Sequence, residues 1–143
     1  MLGSTLLFDQ LDEDLRREFN VSLTEYEILV RLSETEGHQM RMAQLADALA
    51  HSRSRVTHTV ARMEKAQLVQ RVGATDDGRG VVARLTATGH DLLEEAAHSH
   101  VTGVRLHLVD LCSPEDFAAL GRVMNTVADR LVAGHPAREI RRD

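Results

Sequence analysis

The sequence predicts a mainly α fold with a small β-wing, and three observations carry that expectation. Residues 40–85 read as helix, tight turn, basic polar helix and hairpin, the last tipped by Asp76-Asp77-Gly78-Arg79-Gly80. Charge is segregated: residues 1–40 hold three arginines against nine acids, residues 41–85 eight basic residues against four acids, and residues 86–143 six against nine. Apolar stripes at helical spacing occupy both ends of the chain, outside that block. This order is the layout of a winged helix-turn-helix, with N- and C-terminal helices forming a dimerisation lobe. The winged unit is assigned to residues 23–89, and the helical dimerisation region to residues 1–22 and 90–143.

Leu7, Leu11 and Leu15 recur every four residues among Asp12, Glu13, Asp14, Arg16 and Arg17, which predicts an amphipathic helix ending near Asn20. Thr24, followed three residues on by Glu27, reads as a capping box, with Leu23 and Ile28 as its hydrophobic staple. The second helix it opens is expected to run to about Glu36, before Gly37. Residues 39–41 suit a short strand beside the wing. Residues 42–49 are expected to form a third helix with Leu45, Ala46 and Leu49 inward.

Ser52 is a good cap for a fourth helix through about Ala66. Val56, Val60 and Met63 sit at i, i+4 and i+7 and face the core. The opposite face carries Arg53, Ser54, Arg55, Thr57, His58 and Arg62, with no acid before Glu64. An ordinary solvated face mixes acids with bases, so this narrow apolar stripe under a cationic surface fits a polyanion.

Residues 68–72 and 81–85 are β-rich runs joined by a turn that contains Asp77-Gly78, a hairpin signal. Gly78 and Gly80 allow close approach to a duplex backbone, and Arg79 between them suits the narrow minor groove, where negative potential concentrates. Asp77 is expected to steady the Arg79 guanidinium through a charge-assisted hydrogen bond, which lowers the entropy lost on binding.

From Ala87 a long helix is expected to continue to about Leu111, with Leu93, Ala97, Val101, Val104, Leu108 and Leu111 as its seam. Ser113 then caps a last helix with Pro114 at its first position and Phe117, Leu120, Met124, Val127 and Leu131 at steps of three and four. Because the outer helices lie beyond the winged unit, their stripes meet most economically on a second copy. Leu7, Leu11, Phe117, Leu120, Met124, Val127 and Leu131 are therefore the candidate dimerisation residues.

Composition excludes several classes. A chain of 143 residues with 43% hydrophobic but only 3% aromatic residues and no Trp fits one compact domain, or one domain plus arms that must bury their apolar face on a second copy, with an aliphatic core. A net charge of -5 spread evenly would repel a polyanion, so only the local basic density of residues 41–85 permits approach to phosphates. The lone cysteine, Cys112, cannot form an intramolecular disulfide and agrees with a reducing compartment. No apolar run reaches the length of a membrane span and the N-terminus lacks the pattern of a secretory signal, so a cytoplasmic location and no membrane partner are expected. Neither a nucleophile motif nor a phosphate-binding glycine loop nor a paired-cysteine metal site is present, so no catalytic residue is assigned and no enzyme is expected.

The chain resembles the MarR family of bacterial transcriptional regulators along nearly its whole length. Its most specific element is Asp77-Gly78-Arg79-Gly80-Val81 followed by Leu85-Thr86 and Gly89, similar to the family's wing signature and its exit. Leu45-Ala46, Arg62-Met63-Glu64 and Leu68-Val69-Gln70-Arg71 support it. Gly78 stands where a basic residue is often found, His58 where many members carry Arg, and Ala66-Gln67 where a Gly is common. The resemblance implies a homodimer on a pseudo-palindromic double-stranded operator, its recognition helices in successive major grooves and its wings in flanking minor grooves, with half-sites roughly 10 bp apart. By position, Ser54, Arg55, Thr57 and His58 would read bases, Arg53 and Arg62 would contact phosphates, and Arg79 would enter the minor groove. It also implies a repressor that needs no cofactor and is released by a small aromatic or anionic effector bound between the dimer helices and the winged lobe.

Other readings stay open at this level. His90, Glu94 and His98 fall on one helical stripe at spacing four and could present zinc ligands, which would make a zinc-responsive regulator of the same fold. A winged helix can also serve as a protein-interaction module without touching DNA. Redox sensing through Cys112 is disfavoured, because a thiol ending an apolar helix is expected to be buried and inert.

Overall fold

The computed structural model describes residues 1–73 and 80–133. Along them run α1 (Leu2–Phe19), α2 (Leu23–Ser33), β1 (Gln39–Arg41), α3 (Met42–Ala48), α4 (Arg53–Lys65), β2 (Val69–Gly73), β3 (Val81–Leu85), α5 (Ala87–His107) and α6 (Pro114–Ala133), with 3-10 turns at Glu36–His38 and Val109–Leu111. The strands form one antiparallel sheet in the order β1-β3-β2, with Met40 opposite Ala83 and Val72 opposite Val82. The expected mainly α fold with a small β-wing is what the chain adopts.

Ile28, Leu29 and Leu32 of α2 form the centre of the core and are fully buried. Leu15 from α1, Leu45 from α3, Val56, Val60 and Met63 from α4, Val69 and Ala83 from the sheet, and Leu93 and Ala96 from α5 close around them. The three apolar positions read from α4 are all inward, and Thr59 joins them. Burial of this many aliphatic side chains, each contributing about 1.5–3 kcal/mol, fixes the tilt of α4 and so the direction its polar face looks.

Several boundaries differ from the sequence reading. The capping box lies two residues earlier, at Ser22 and Glu25 instead of Thr24 and Glu27: the Glu25 N–H donates to Ser22 Oγ at 3.2 Å, and the Glu25 carboxylate accepts from the Ser22 N–H at 2.7 Å. Asp12 of α1 also accepts the Leu23 N–H at 2.8 Å, so the chain enters the helix there. Val21 and Tyr26, both buried, then occupy the staple positions expected for Leu23 and Ile28. The second helix stops at Ser33, short of Glu36, and a 3-10 turn with Gly37 at φ 69° leads into β1. The seam of α5 also shifts: Gly89, Leu93 and Ala96 are buried, whereas Val101 and Leu111 are 56% and 77% exposed. The helix ends at His107, so the heptad-like count past that point had no helix to act on.

Two junctions aim the wing. After α4, Gln67 takes the left-handed conformation (φ 61°) and the Leu68 N–H returns to Met63 O at 3.0 Å. After β3, Thr86 caps α5, accepting the Gly89 N–H at 3.0 Å while its hydroxyl reaches Leu68 O at 2.9 Å. A Cβ on Gly89 would come within 2.1 Å of Leu68 O, so only glycine lets α5 start against the foot of β2.

Candidate nucleic-acid interface

The candidate surface is built from the N-terminus of α4 outward. Ser52 caps it, accepting the Arg55 N–H at 3.2 Å, so the first turn is rigid and carries the positive end of the helix dipole. Arg53, Ser54, Arg55, Thr57, His58 and Arg62 all lie on the exposed side. Thr57 donates its hydroxyl back to Arg53 O at 2.8 Å, which sets its rotamer. Arg55 Nη2 donates to Thr24 Oγ1 of α2 at 3.4 Å.

Arg62 is anchored more firmly. Its Nε donates to Glu25 Oε1 at 2.7 Å, while 62% of its side chain stays exposed and Glu25 is buried. Burial alone pushes the Glu25 carboxyl upward. The hydrogen bonds from Arg62 and from the Ser22 N–H and hydroxyl, with the Arg62 charge, outweigh that and hold it below the usual carboxylate value. The same acid therefore caps α2 and positions a cation on α4.

Between α4 and the base of the hairpin runs a cleft of about 350 Å³ lined by Arg41, Arg53, Thr57, Arg71, Gly80 and Val81 among others. Sequence reasoning missed Arg41 and Arg71, because no local pattern marks them; only the sheet, with β1 and β2 on either side of β3, brings both to one cleft with α4. Gly80, at φ 120°, leaves room for Arg41, whose Nη1 would lie 3.1 Å from a Cβ there. Glu64 of α4 accepts both the Arg71 N–H at 2.9 Å and its Nε at 2.8 Å, tying β2 to α4. Asp77 and Arg79 lie outside the described residues; Gly80 and Val81, next in the chain, line the cleft beside Arg53 and Thr57.

A second cavity, of about 550 Å³, opens between α1, α2, the end of α3 and α5. Leu11, expected on the dimerisation face, is instead 5% exposed within its own chain, packed 3.3 Å from the position a Cβ would take on Gly103 of α5, and Leu7 is half-buried beside this cavity. Phe117, Leu120, Met124, Val127 and Leu131 of α6 are all exposed, from 41% to 66%. His90 Nδ1 lies 3.8 Å from Glu94 Oε1, but among the described residues no group of three His, Cys, Asp or Glu side chains is placed to hold a metal. Cys112 is half-buried after the second 3-10 turn, not sealed at a helix end as its apolar neighbours suggested. No helix among the described residues is long and apolar enough to cross a membrane.

Comparison with known proteins agrees with this arrangement. A sequence model of the MarR family matches residues 21–81, which span the helix-turn-helix and reach into β3. AbsC, a MarR family transcriptional regulator from Streptomyces coelicolor, is 42% identical, with 92% of this chain and 88% of that one covered and a TM-score of 0.86. Sco3205, a MarR family transcriptional regulator from the same organism solved in complex with DNA, is 39% identical over 90% of this chain and 81% of its own, with a TM-score of 0.87. The transcriptional regulator BldR from Sulfolobus solfataricus is 26% identical over 86% and 84%, with a TM-score of 0.76. A search of curated proteins found no match. Identity of 42% and 39% to MarR family regulators over 92% and 90% of its length shows that the chain belongs to the MarR family.

Proposed function

We propose that this chain is a homodimeric, sequence-specific transcriptional repressor that binds a pseudo-palindromic DNA operator in the cytoplasm and is controlled by a small molecule. The observation that carries the reading is the shared placement of the exposed α4 face and the arginine-lined cleft: Arg53 and Thr57 belong to both. A helix entering the major groove would present Ser54, Arg55, Thr57 and His58 to base edges, while Arg41, Arg53 and Arg62 face phosphates and Arg79 reaches the minor groove. The DNA complex of the 39% identical Sco3205 supports the partner class. The exposed apolar stripe of α6 supports assembly with a second copy.

The cavity between α1, α5 and α2 is the place for an effector, since it separates the outer helices from the element that carries Glu25 and, through it, Arg62. A ligand there acts by preferring one spacing of the two recognition helices over another.

Fluorescence-anisotropy titration with DNA from upstream of the chain's own and neighbouring genes tests the reading. Saturable, salt-sensitive binding to one fragment is expected, and Arg79→Ala is expected to weaken it by about 1–3 kcal/mol. Equal affinity for every fragment, at every salt concentration, would remove sequence-specific regulation from consideration.

A further inference from the structure

The 550 Å³ cavity is within the size range of small-molecule sites, and its walls are mainly apolar, with Leu7 and Phe8 from α1, Leu23 and Val30 from α2, Leu49 after α3 and Val104 from α5. Its charged groups are Glu27 and Arg31 of α2 and Glu34 just after it. Arg31 Nη1 sits 3.5 Å from Glu34 Oε2, so those two charges largely answer each other. Glu27 makes no hydrogen bond among the described residues. Surrounding protein pushes its carboxyl above the usual value, against the smaller pull of Arg31 and Arg55.

The remaining polar lining does not supply a positive charge. His100 of α5 stacks on Tyr26 with ring centroids 4.6 Å apart, its Nδ1 is buried without a partner, and burial lowers its pKa, which favours the neutral ring. An anionic effector entering here would meet the Glu27 carboxylate, which no hydrogen bond among the described residues engages, and an arginine that already pairs with Glu34 and attracts Glu27. A cation would meet that same carboxylate as its counter-ion, with the aromatic side chains of Phe8 and Tyr26 among the lining.

We propose that this cavity takes a hydrophobic organic cation, an amine carried on an apolar body, with its ammonium against Glu27. This rests on the reading of the chain as an effector-controlled regulator and, where family resemblance implied a small aromatic or anionic ligand, selects the charge from the groups this chain presents.

Calorimetric titration of the whole chain at neutral pH with tryptamine, indole-3-propionate and 3-ethylindole tests it, because the three share a ring system and differ in charge. Tryptamine is expected to bind about tenfold or more tighter than either isostere, the scale of one hydrogen-bonded ion pair. Glu27→Gln, at an exposed position where folding is retained, is expected to reduce that preference to about twofold or less, whereas Arg31→Ala is expected to raise it by freeing Glu34. Tighter binding of the propionate, an unchanged preference in Glu27→Gln, or no binding of any of the three because a second copy fills the cavity would each overturn the proposal. Operator titrations on the same preparations separate the two readings: loss of DNA binding in the wild-type chain sinks the regulator, and release by the propionate alone sinks only the cation.

Discussion

Glu25 and Arg62 lie 37 positions apart, yet the one acid caps the start of α2 through Ser22 and sets the posture of a cation on α4. Arg62→Ala leaves a buried carboxylate with one donor fewer and is expected to lower stability by about 1–2 kcal/mol, below the value for a fully buried pair because the arginine side is in water. In DNA binding the same variant is expected to weaken all sequences alike and flatten the salt dependence by about one counterion, read from anisotropy titrations across ionic strength. A loss confined to one operator base would instead make Arg62 a reader of sequence. Because the folded-state pKa of Glu25 is lowered, its contribution is fully present above the ordinary value of 4.5 and is lost as pH falls through the lower, folded value. His100 works with the opposite sign. Burial lowers its pKa below 6.5, so as pH falls through 6.5 the unfolded chain takes up a proton that the folded chain resists, and stability drops. Urea melts of wild type and His100→Phe across that range check this: the difference between them is expected to shift towards the variant on acidification, and parallel curves would show that the ring titrates normally. The exposed residues of α4 were legible because polar face and apolar stripe alternate within thirteen residues. The Glu25–Arg62 bond and the place of Arg41 and Arg71 in the cleft were not, since tertiary proximity alone creates them.

At the scale of elements, the wing is held by its two junctions more than by its strands, which are only five residues each. Gly89→Ala is expected to destabilise the fold by about 2–4 kcal/mol, because the added methyl meets backbone at Leu68 and α5 must back away from β2. Thermal melts measure the stability, and operator titration of the folded fraction measures whether the wing still points correctly; a variant within about 0.5 kcal/mol of wild type would show that the helix shifts without strain. Gln67 is the milder case. It occupies a left-handed position where the family often has Gly, so the close of α4 is retained at a strain of about 1 kcal/mol. The α-helices and the two wing strands could be anticipated from periodicity, caps and turn residues, and β1 from its position beside the wing; the two 3-10 turns were not. The errors fell at ends: a Ser-x-x-Glu box hid two residues before a Thr-x-x-Glu one, and α5 kept an apolar rhythm for several residues after its backbone had stopped being helical. Both reflect local patterns that are degenerate until a partner, here Asp12 for the cap, selects between them.

For the whole molecule the decisive question is what covers α6. None of its described residues through Leu131 is buried, and Phe117, Leu120, Val123, Met124, Val127 and Leu131 lie along it at 41% to 66% exposure. Six large apolar side chains on one twenty-residue helix exceed the scattered exposure normal for a monomer, and α1 adds Leu2, Leu6 and Phe8 near its start. A two-fold interface would bury the same stripe on both copies and fix the distance between the two cationic helices. Placing a charge there separates assembly from DNA contact, since no α6 residue lines the cleft. Met124→Glu, checked with Leu120→Glu, is expected to convert a species of twice the 15.9 kDa chain mass into monomer in light scattering, while the far-ultraviolet spectrum stays helical. Operator affinity is expected to fall by about a hundredfold or more although no DNA-facing residue has changed, because each half-site must then be bound without the effective concentration supplied by its twin. If the charged variants stay dimeric, another surface joins the copies; if they become monomeric and hold the operator as tightly as before, one winged unit suffices and the two-fold geometry has no part in recognition.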